Sequence, residues 1–390
     1  MITVEEALRH LFTLVSPLEP ETVPLAEAGG RVLAEGAQAR RDQPPFAASS
    51  MDGYAINGKG LCIGDSFDVI GEAAAGHGFA GEVGIGQAVR IFTGAPVPKG
   101  ADRIVMQEDI TREAGRITVT DAPSDNTHIR PEGSDFCIGD RIDAPRRLSP
   151  PDIALLAAMN VAEVTVRRHP RVALISTGDE LVMPGDDPGP DQIIASNTYG
   201  LKAMLDAAGA KARILPIARD TKRSLETAFE LAQGADLVVT IGGASVGDHD
   251  LVGAVAAELG MERAFYKVAM RPGKPLMAGR MGQAAMLGLP GNPVSAMVCG
   301  HVFLLPMIRV MLGLGARPAP RLRARLTCDM ETGGPREHYM RAEAADGRIT
   351  PEPRQDSALL SVLARANALM IRPAGDGPRR AGDEMDYIAL

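Results

Sequence analysis

Four apolar runs in the 390-residue chain end in Gly, Asp or small polar residues. RVALIST (171–177) is followed by Gly178-Asp179-Glu180, and ARILPIA (212–218) by Arg219-Asp220. DLVVTIGG (236–243) leads into Ala244 through Asp250, and AAMLGLP (284–290) into Gly291-Asn292-Pro293. If the runs are parallel strands, these four ends share one rim, where open α/β sheets bind ligands. Gly242 and Gly243 would let backbone amides approach an anion, Ser245 adds a hydroxyl, and a helix N-terminus follows. A Gly turn in which Asp248 or Asp250 caps the next helix fits that loop equally. Asp179, Glu180, Asp220 and Asp250 are candidate ligands for a divalent cation. Mg²⁺ takes one or two carboxylates and completes its shell with phosphates and water. Helix capping or solvation is the alternative for each of them singly. In MRPGKPLMAGR, Arg271, Lys274 and Arg280 add positive charge, and Pro272-Gly273 forms a tight turn that presents Lys274; a solvated loop is the alternative.

A second cluster lies earlier: Ser49 to Ala55, Thr93-Gly94-Ala95-Pro96, and Ile129-Arg130 through Asp135. Asp52 beside Gly53 reads as a buried catalytic carboxylate or as a turn former. No G-x-G-x-x-G, Walker A or G-x-S-x-G pattern marks these loops, and the seven His show no metal spacing. His249 reads as solvent-exposed and His301 as a helix-surface residue.

The elements that must position these residues follow from periodicity. Thr3 and Glu6 form a capping box ahead of Leu8, Leu11, Phe12 and Val15 at helical spacing, and Pro17 and Pro20 end that helix. From about Gly29 to Arg147, short apolar runs between Gly- and Pro-rich turns predict a barrel-like β module. A short helix, PPDIALLAAMN, leads back to a strand. From Arg171 to about Leu314 strands and helices alternate, which implies a mostly parallel sheet covered on both faces. Asn197 is the expected N-cap of the first of these helices and Gly209 its stop. GARPAPRLR is a Pro-rich linker to a small C-terminal β domain.

Composition bounds the function. The length predicts two to four domains. The formal net charge of −8 argues against a nucleic-acid or anionic-membrane surface, although local amides and a few Lys or Arg still allow an anionic ligand. Cys62, Cys137, Cys299 and Cys328 are too dispersed for a disulfide framework or a structural zinc site. The N-terminus lacks the basic start of a signal peptide. Val302 to Leu312, the nearest approach to a membrane-spanning run, is interrupted by Pro306 and Arg309. A cytoplasmic protein is expected.

SSMDGYA, IFTGAPVPKGAD, IVMQED, ISTGDEL, TIGGASVGDHD, RPGKP and GLPGNPVS stand in the order seen in MoeA-type molybdopterin molybdenumtransferases, the family to which the C-terminal domain of gephyrin belongs. The chain resembles that family over nearly its whole length. SMDGYA and TGAPVP are the most diagnostic motifs, because single-domain pterin-binding relatives lack them. The resemblance implies a multidomain α/β plus β protein. Its expected parts are an N-terminal helix (1–20), an elongated linker domain (21–41 with 139–167), an inserted β-barrel-like domain (42–138), a three-layer α/β molybdopterin-binding domain (168–315) and a C-terminal β domain (316–390). It implies insertion of molybdate into adenylylated molybdopterin with release of AMP, Mg²⁺ as cofactor, and a homodimer whose β module completes the partner's site. An upstream adenylyltransferase and molybdoenzyme chaperones are further implied partners. By motif, Asp52, Asp135, Glu180, Asp220, Asp250 and Lys274 take the catalytic positions, with Glu180 and Asp250 toward the metal. Thr93, Arg130, Thr177, Gly178, Asp179, Gly242, Gly243, Ser245, Gly273, Pro290, Gly291, Asn292 and Pro293 take the cofactor-binding positions. The chain departs from the family pattern at Ala195-Ser196-Asn197, at Arg271 and at Gly133-Ser134-Asp135. A non-catalytic molybdopterin-binding or scaffolding protein is the alternative of a different class. It would keep the folding glycines and lose the Asp set, and this chain keeps both. A generic nucleotide-binding transferase fits the α/β region but leaves the β module unexplained.

Overall fold

The computed structural model describes residues 1–122, 125–243 and 251–390. The chain divides into one unit made of Met1–Glu21 with Val166–Leu390, and a second made of Thr22–Thr165.

The first unit is built on a six-stranded sheet. Its order is Lys211–Ile214, Arg171–Ser176, Leu237–Ile241, Ala284–Leu289, Met277–Met281, Met261–Tyr266. The first four strands are parallel; Met277–Met281 runs antiparallel to them, and Met261–Tyr266 runs antiparallel to Met277–Met281. Arg171–Ser176 comes first in sequence and pairs on opposite sides with the second and third strands. Its carboxyl end is therefore the sheet's topological switch point, where successive crossovers leave on opposite faces. The central strands are buried along nearly their whole length, as a sheet covered on both faces requires. One face packs Ala173, Ile175, Val238 and Met286 against Leu225, Phe229, Val252 and Val255 of the helices Lys222–Leu231 and Leu251–Glu258. The other lies under the helix Asn197–Ala207 and the long helical stretch that begins at Pro293.

That stretch, Pro293–Met311, is 19 residues long with a mean hydropathy of 1.7, long and apolar enough to cross a membrane, whereas the sequence reading found no run of that length and named Val302–Leu312 as the nearest approach. Its burial is 78% within the protein, so core packing accounts for its apolarity. A π-helical turn, Gly300–Leu304, lets it continue into Leu305–Met311 despite Pro306. His301 sits in that turn and is half-buried, not on the helix surface; burial pulls its imidazole down to about 4.

The N-terminal helix Val4–Leu14 carries the expected capping box. Thr3 Oγ1 accepts from Glu6 N (3.1 Å), and Thr3 N donates to Glu6 Oε2 (2.8 Å). The C-terminal strands Leu322–Leu326, Glu337–Ala345, Arg348–Pro351, Ala368–Arg372 and Glu384–Ala389 close on themselves, because Glu337–Ala345 pairs with both Arg348–Pro351 and Ala368–Arg372. Met270–Arg271 adds to this barrel beside Glu337–His338, which ties the RPGKP loop to it.

The second unit contains another six-stranded sheet, ordered Arg103–Met106, Gly53–Ile56, Gln87–Ile91, Ser66–Ala73, Arg116–Val119, Ile110–Glu113. Alternation along the strands gives it two apolar faces. Tyr54, Ile56, Phe67 and Val105 lie in one cluster, and Ala55, Val89, Ile91 and Ile104 in the other. Short ladders join Val32–Leu33 to Arg146–Arg147 and Ala37–Gln38 to Arg141–Ile142.

Candidate active site

In the parallel sheet Ser176 is in register with Ile241, and Ile241 with Leu289. The next residues, Thr177, Gly242 and Pro290, therefore emerge side by side. Above them lies a cleft of about 1090 Å³ lined by Thr177, Gly178, Glu180, Asp220, Gly242, Gly243 and the Pro290–Pro293 turn. Both central glycines are required. Gly242 has φ +96°, and a Cβ there would come within 2.6 Å of the Thr177 carbonyl oxygen. Gly243 has φ +66°, and a Cβ there would come within 2.8 Å of Thr177 Oγ1. Ser245 and Asp250 lie outside the described residues.

The carboxylates divide by role. Glu180 and Asp220 line the cleft, whereas Asp179 does not; its Oδ1 accepts from Asp220 N (3.1 Å). Arg219 pins the same loop by donating from Nη1 to the carbonyls of Asp179 (2.7 Å) and Leu181 (3.1 Å). Burial, with the negative charges of Asp179 and Glu180 beside it, raises the carboxyl of Asp220 above the usual range. A bound cation would relieve that repulsion. Among the described residues no group of three or more His, Cys, Asp or Glu is placed to hold a metal. Two cleft carboxylates nonetheless suit Mg²⁺, which takes the rest of its shell from water and phosphate oxygens.

On the opposite side, Gly273 and Lys274 do not line the cleft but Pro275 does. Gly273 is buried with φ +113°, where a Cβ would come within 2.6 Å of Cys299 Sγ; Lys274 is exposed, and its carbonyl accepts from Val268 N (3.1 Å). The Gly291-Asn292 turn is held from two sides. Asn197 Nδ2 donates to the Gly291 carbonyl (2.7 Å), and Asn292 Nδ2 to Ser357 Oγ (3.0 Å). Asn197 is thus not the cap of its helix. Ser196 holds that position without a side-chain bond, while Asn197 reaches across the rim.

The strand Glu337–Ala345 contributes a residue that sequence reading missed. Arg341 is 0% exposed, and its Nε and Nη1 have no hydrogen-bond partner. Nη2 donates to the carbonyls of Asp356 (3.0 Å) and Arg354 (3.5 Å), on the segment that continues into Ser357 and the cleft residue Ala358. Burial and the nearby Arg271 lower its pKa from the ordinary arginine value. His338, with Nε2 also buried and unpartnered, is pulled down to about 4 by burial and by Arg271, Arg341, Arg372 and Arg336. Arg341 itself does not line the cleft, but a guanidinium with two unpartnered donors among other cationic groups has the chemistry to hold an oxyanion.

In the second unit Asp52 is exposed, not buried. Thr93 donates to its Oδ1 from both N (2.7 Å) and Oγ1 (2.8 Å). These two bonds, aided by the charge of Arg90, hold the carboxyl below the usual range. Gly53 follows by necessity, since a Cβ there would overlap the Val105 carbonyl oxygen and lie 2.9 Å from its carbon. Ser49 and Ser50 bring the expected segments together. Ser49 N donates to the Ala95 carbonyl and Ser50 Oγ to that of His128, and Arg130 pairs with Ala48. Asp135 is exposed on a turn whose amides at Gly133 and Asp135 donate to Pro44 and Gln43 carbonyls.

Fold and site define an α/β protein with a Gly-rich cleft at the sheet's switch point and accessory β modules. Three family descriptions match in order: the MoeA N-terminal region (domains I and II) over residues 2–160, a probable molybdopterin binding domain over 173–310, and the MoeA C-terminal region (domain IV) over 323–390. The chain is 34% identical to a molybdopterin molybdenumtransferase of Haemophilus influenzae (98% of this chain, 97% of that protein). It is 35% identical to one from a Nostoc species (100% and 94%). It aligns with a crystal structure of a molybdopterin biosynthesis MoeA protein from Pyrococcus horikoshii at a TM-score of 0.85, with 26% identity and full coverage of both chains. The chain belongs to the MoeA family.

Proposed function

We propose that this protein is a molybdopterin molybdenumtransferase of molybdenum-cofactor biosynthesis, which inserts molybdate into adenylylated molybdopterin and releases AMP. The observation that carries this reading is a cleft lined by the Gly242-Gly243 turn, with the unpartnered guanidinium of Arg341 bonded to the segment that continues into the cleft residue Ala358. A phosphorylated ligand and a tetrahedral oxyanion need such a pair. The relatives named above carry an enzyme's name, which favours catalysis over the scaffolding alternative.

In this reading the Gly178, Gly242, Gly243 and Gly291 turns hold the pterin phosphate, and Arg341 with Lys274 holds molybdate. Glu180 and Asp220, with Asp250, would hold Mg²⁺, which offsets charge on the phosphates and on the AMP leaving group. Asp179 shapes the loop that carries Glu180 and Asp220. Thr177, Ser245, Pro290, Asn292 and Pro293 complete the cofactor rim, and Gly273 allows the turn that brings Lys274 forward. Asp52, ionised and fixed by Thr93, acts with Arg130 and Asp135 from the β module in the cleft of a neighbouring subunit of a homodimer. A rigid carboxylate directed outward from a loop is suited to such a shared site. The domain partition from 1–20 through 316–390 accompanies this reading, as does a cytoplasmic location.

Purified protein given adenylylated molybdopterin, Mg²⁺ and molybdate is expected to release AMP only when molybdate is present. A folded protein that releases none would sink the proposal. Asp52→Ala is expected to keep its melting temperature and lose turnover by about 100-fold or more.

A further inference from the structure

Asp52 stands on an exposed loop beside a glycine, a poor place to hold a working carboxylate still. The strand Gln87–Ile91 supplies the restraint. Arg90 lies opposite Tyr54 in the sheet. Its guanidinium carbon is 5.0 Å from the Tyr54 ring centroid and 4.8 Å from that of Phe92, so two aromatic faces lock its orientation. From there Nη1 donates to the Gly53 carbonyl (3.3 Å) and Nη2 to Gln107 Oε1 (2.6 Å). Gln107 in turn donates its backbone amide to the carbonyl of Asp52 (3.2 Å). Two residues beyond the strand, Thr93 binds the carboxylate itself.

We propose that Arg90, working through Gln107, is a positioning residue that clamps the backbone on the carboxyl side of Asp52 and so fixes the carboxylate that Thr93 orients. This rests on Asp52 belonging to the working site. The arrangement has a function-like economy: Arg90 and Thr93, from one short segment, hold the backbone beside one acid and its side chain. Structural support alone does not require it. Gly53–Ile56 is already paired on both sides, with Gln87–Ile91 and with Arg103–Met106. A lysine could not replace the fork, because a single ammonium cannot hold a planar orientation between two rings while donating in two fixed directions.

The test is a double-mutant cycle on AMP release with Arg90→Met, Thr93→Val and both together, with Arg90→Lys alongside. Methionine keeps an apolar stem against Tyr54 and Phe92, so the melting temperature is expected to move little. Arg90→Met should lower kcat about tenfold or more with a smaller change in KM, and Arg90→Lys should restore only part of it. Because both residues act through Asp52, the double variant should lose less than the product of the single losses. Losses that multiply, or full rescue by lysine, would overturn the clamp. Hydrogen exchange supplies a readout that needs no turnover: the Thr93 amide should exchange at least several-fold faster in Arg90→Met. Unchanged exchange there overturns the inference even if the protein proves to have no transferase activity. Faster exchange without wild-type AMP release would leave the clamp standing and remove only its catalytic purpose.

Discussion

Replacing Arg341 by methionine should make the protein more stable and less active. The guanidinium is fully buried; Nε and Nη1 have no partner, and Nη2 makes one good bond, to the Asp356 carbonyl, and a marginal one at 3.5 Å. An unsatisfied buried polar group costs about 1–3 kcal/mol, and more when it is charged. Methionine of similar length fills the space, removes both orphaned donors and the desolvated charge, and forfeits roughly 1 kcal/mol with the Asp356 bond. The balance is a gain of about 1–3 kcal/mol. In a body of this size that corresponds to a rise in Tm of about 2–4 °C per kcal/mol. Oxyanion response provides the second half of the test. Molybdate or tungstate at about 100 times its Kd should stabilise the wild type by about 2.7 kcal/mol and leave the variant unmoved. Calorimetry with and without the oxyanion, together with AMP release, reads all three quantities. A variant that loses stability yet still responds to oxyanion would show that Arg341 is a structural post, and the reasoning would fail.

Gly53→Ala should destabilise the second unit by several kcal/mol, because its Cβ overlaps backbone and no side chain can move to admit it; thermal unfolding of the variant checks this. Asn197→Ala removes the bond to the Gly291 carbonyl at the cleft rim, so about 1 kcal/mol of stability and a raised KM with little change in kcat are expected from steady-state kinetics. Burial pushes the carboxyl of Asp236 up, but the Arg168 fork (2.7 Å to each oxygen) and the Arg171 amide outweigh it and hold it below the usual range. A depressed carboxylate contributes stability that is complete above its unfolded pKa of about 4 and is lost as pH falls through the folded value. Urea midpoints should therefore drop below about pH 4, and Asp236→Asn should flatten that slope while costing roughly 1–2 kcal/mol at neutral pH.

The sheet and its rim were legible because buried parallel strands leave near-continuous apolar runs, and each run here stops at a Gly or Asp. Other parts of the site depend on pairings that no local pattern encodes. Asp179 and Glu180 are adjacent and alike in sequence, yet one binds the Asp220 amide and the other lines the cleft. Asn197 looks like a cap because its partner, Gly291, is 94 residues away. Arg341 in HYMRAEAA carries no local signal of burial, and closure of the barrel is what buries it. Placing these residues on the sheet order reveals a polarity that the motifs alone do not carry. Asp220 and Glu180 follow the first two strands, Gly242 and Gly243 the third, and Gly291-Asn292 the fourth. Met277 pairs with Gly288, so Pro275 stands at the same rim, next to the RPGKP loop and the cationic barrel strand. The carboxylates Glu180 and Asp220 thus stand at one end of the cleft, and the cationic RPGKP loop adjoins the other through Pro275. A bare anion would be repelled by the carboxylates in such a field and driven toward the other end. A cation-bridged phosphate at the acidic end and a bare oxyanion at the basic end are both favoured by it, and the two reactants of a metal-insertion step differ in that way.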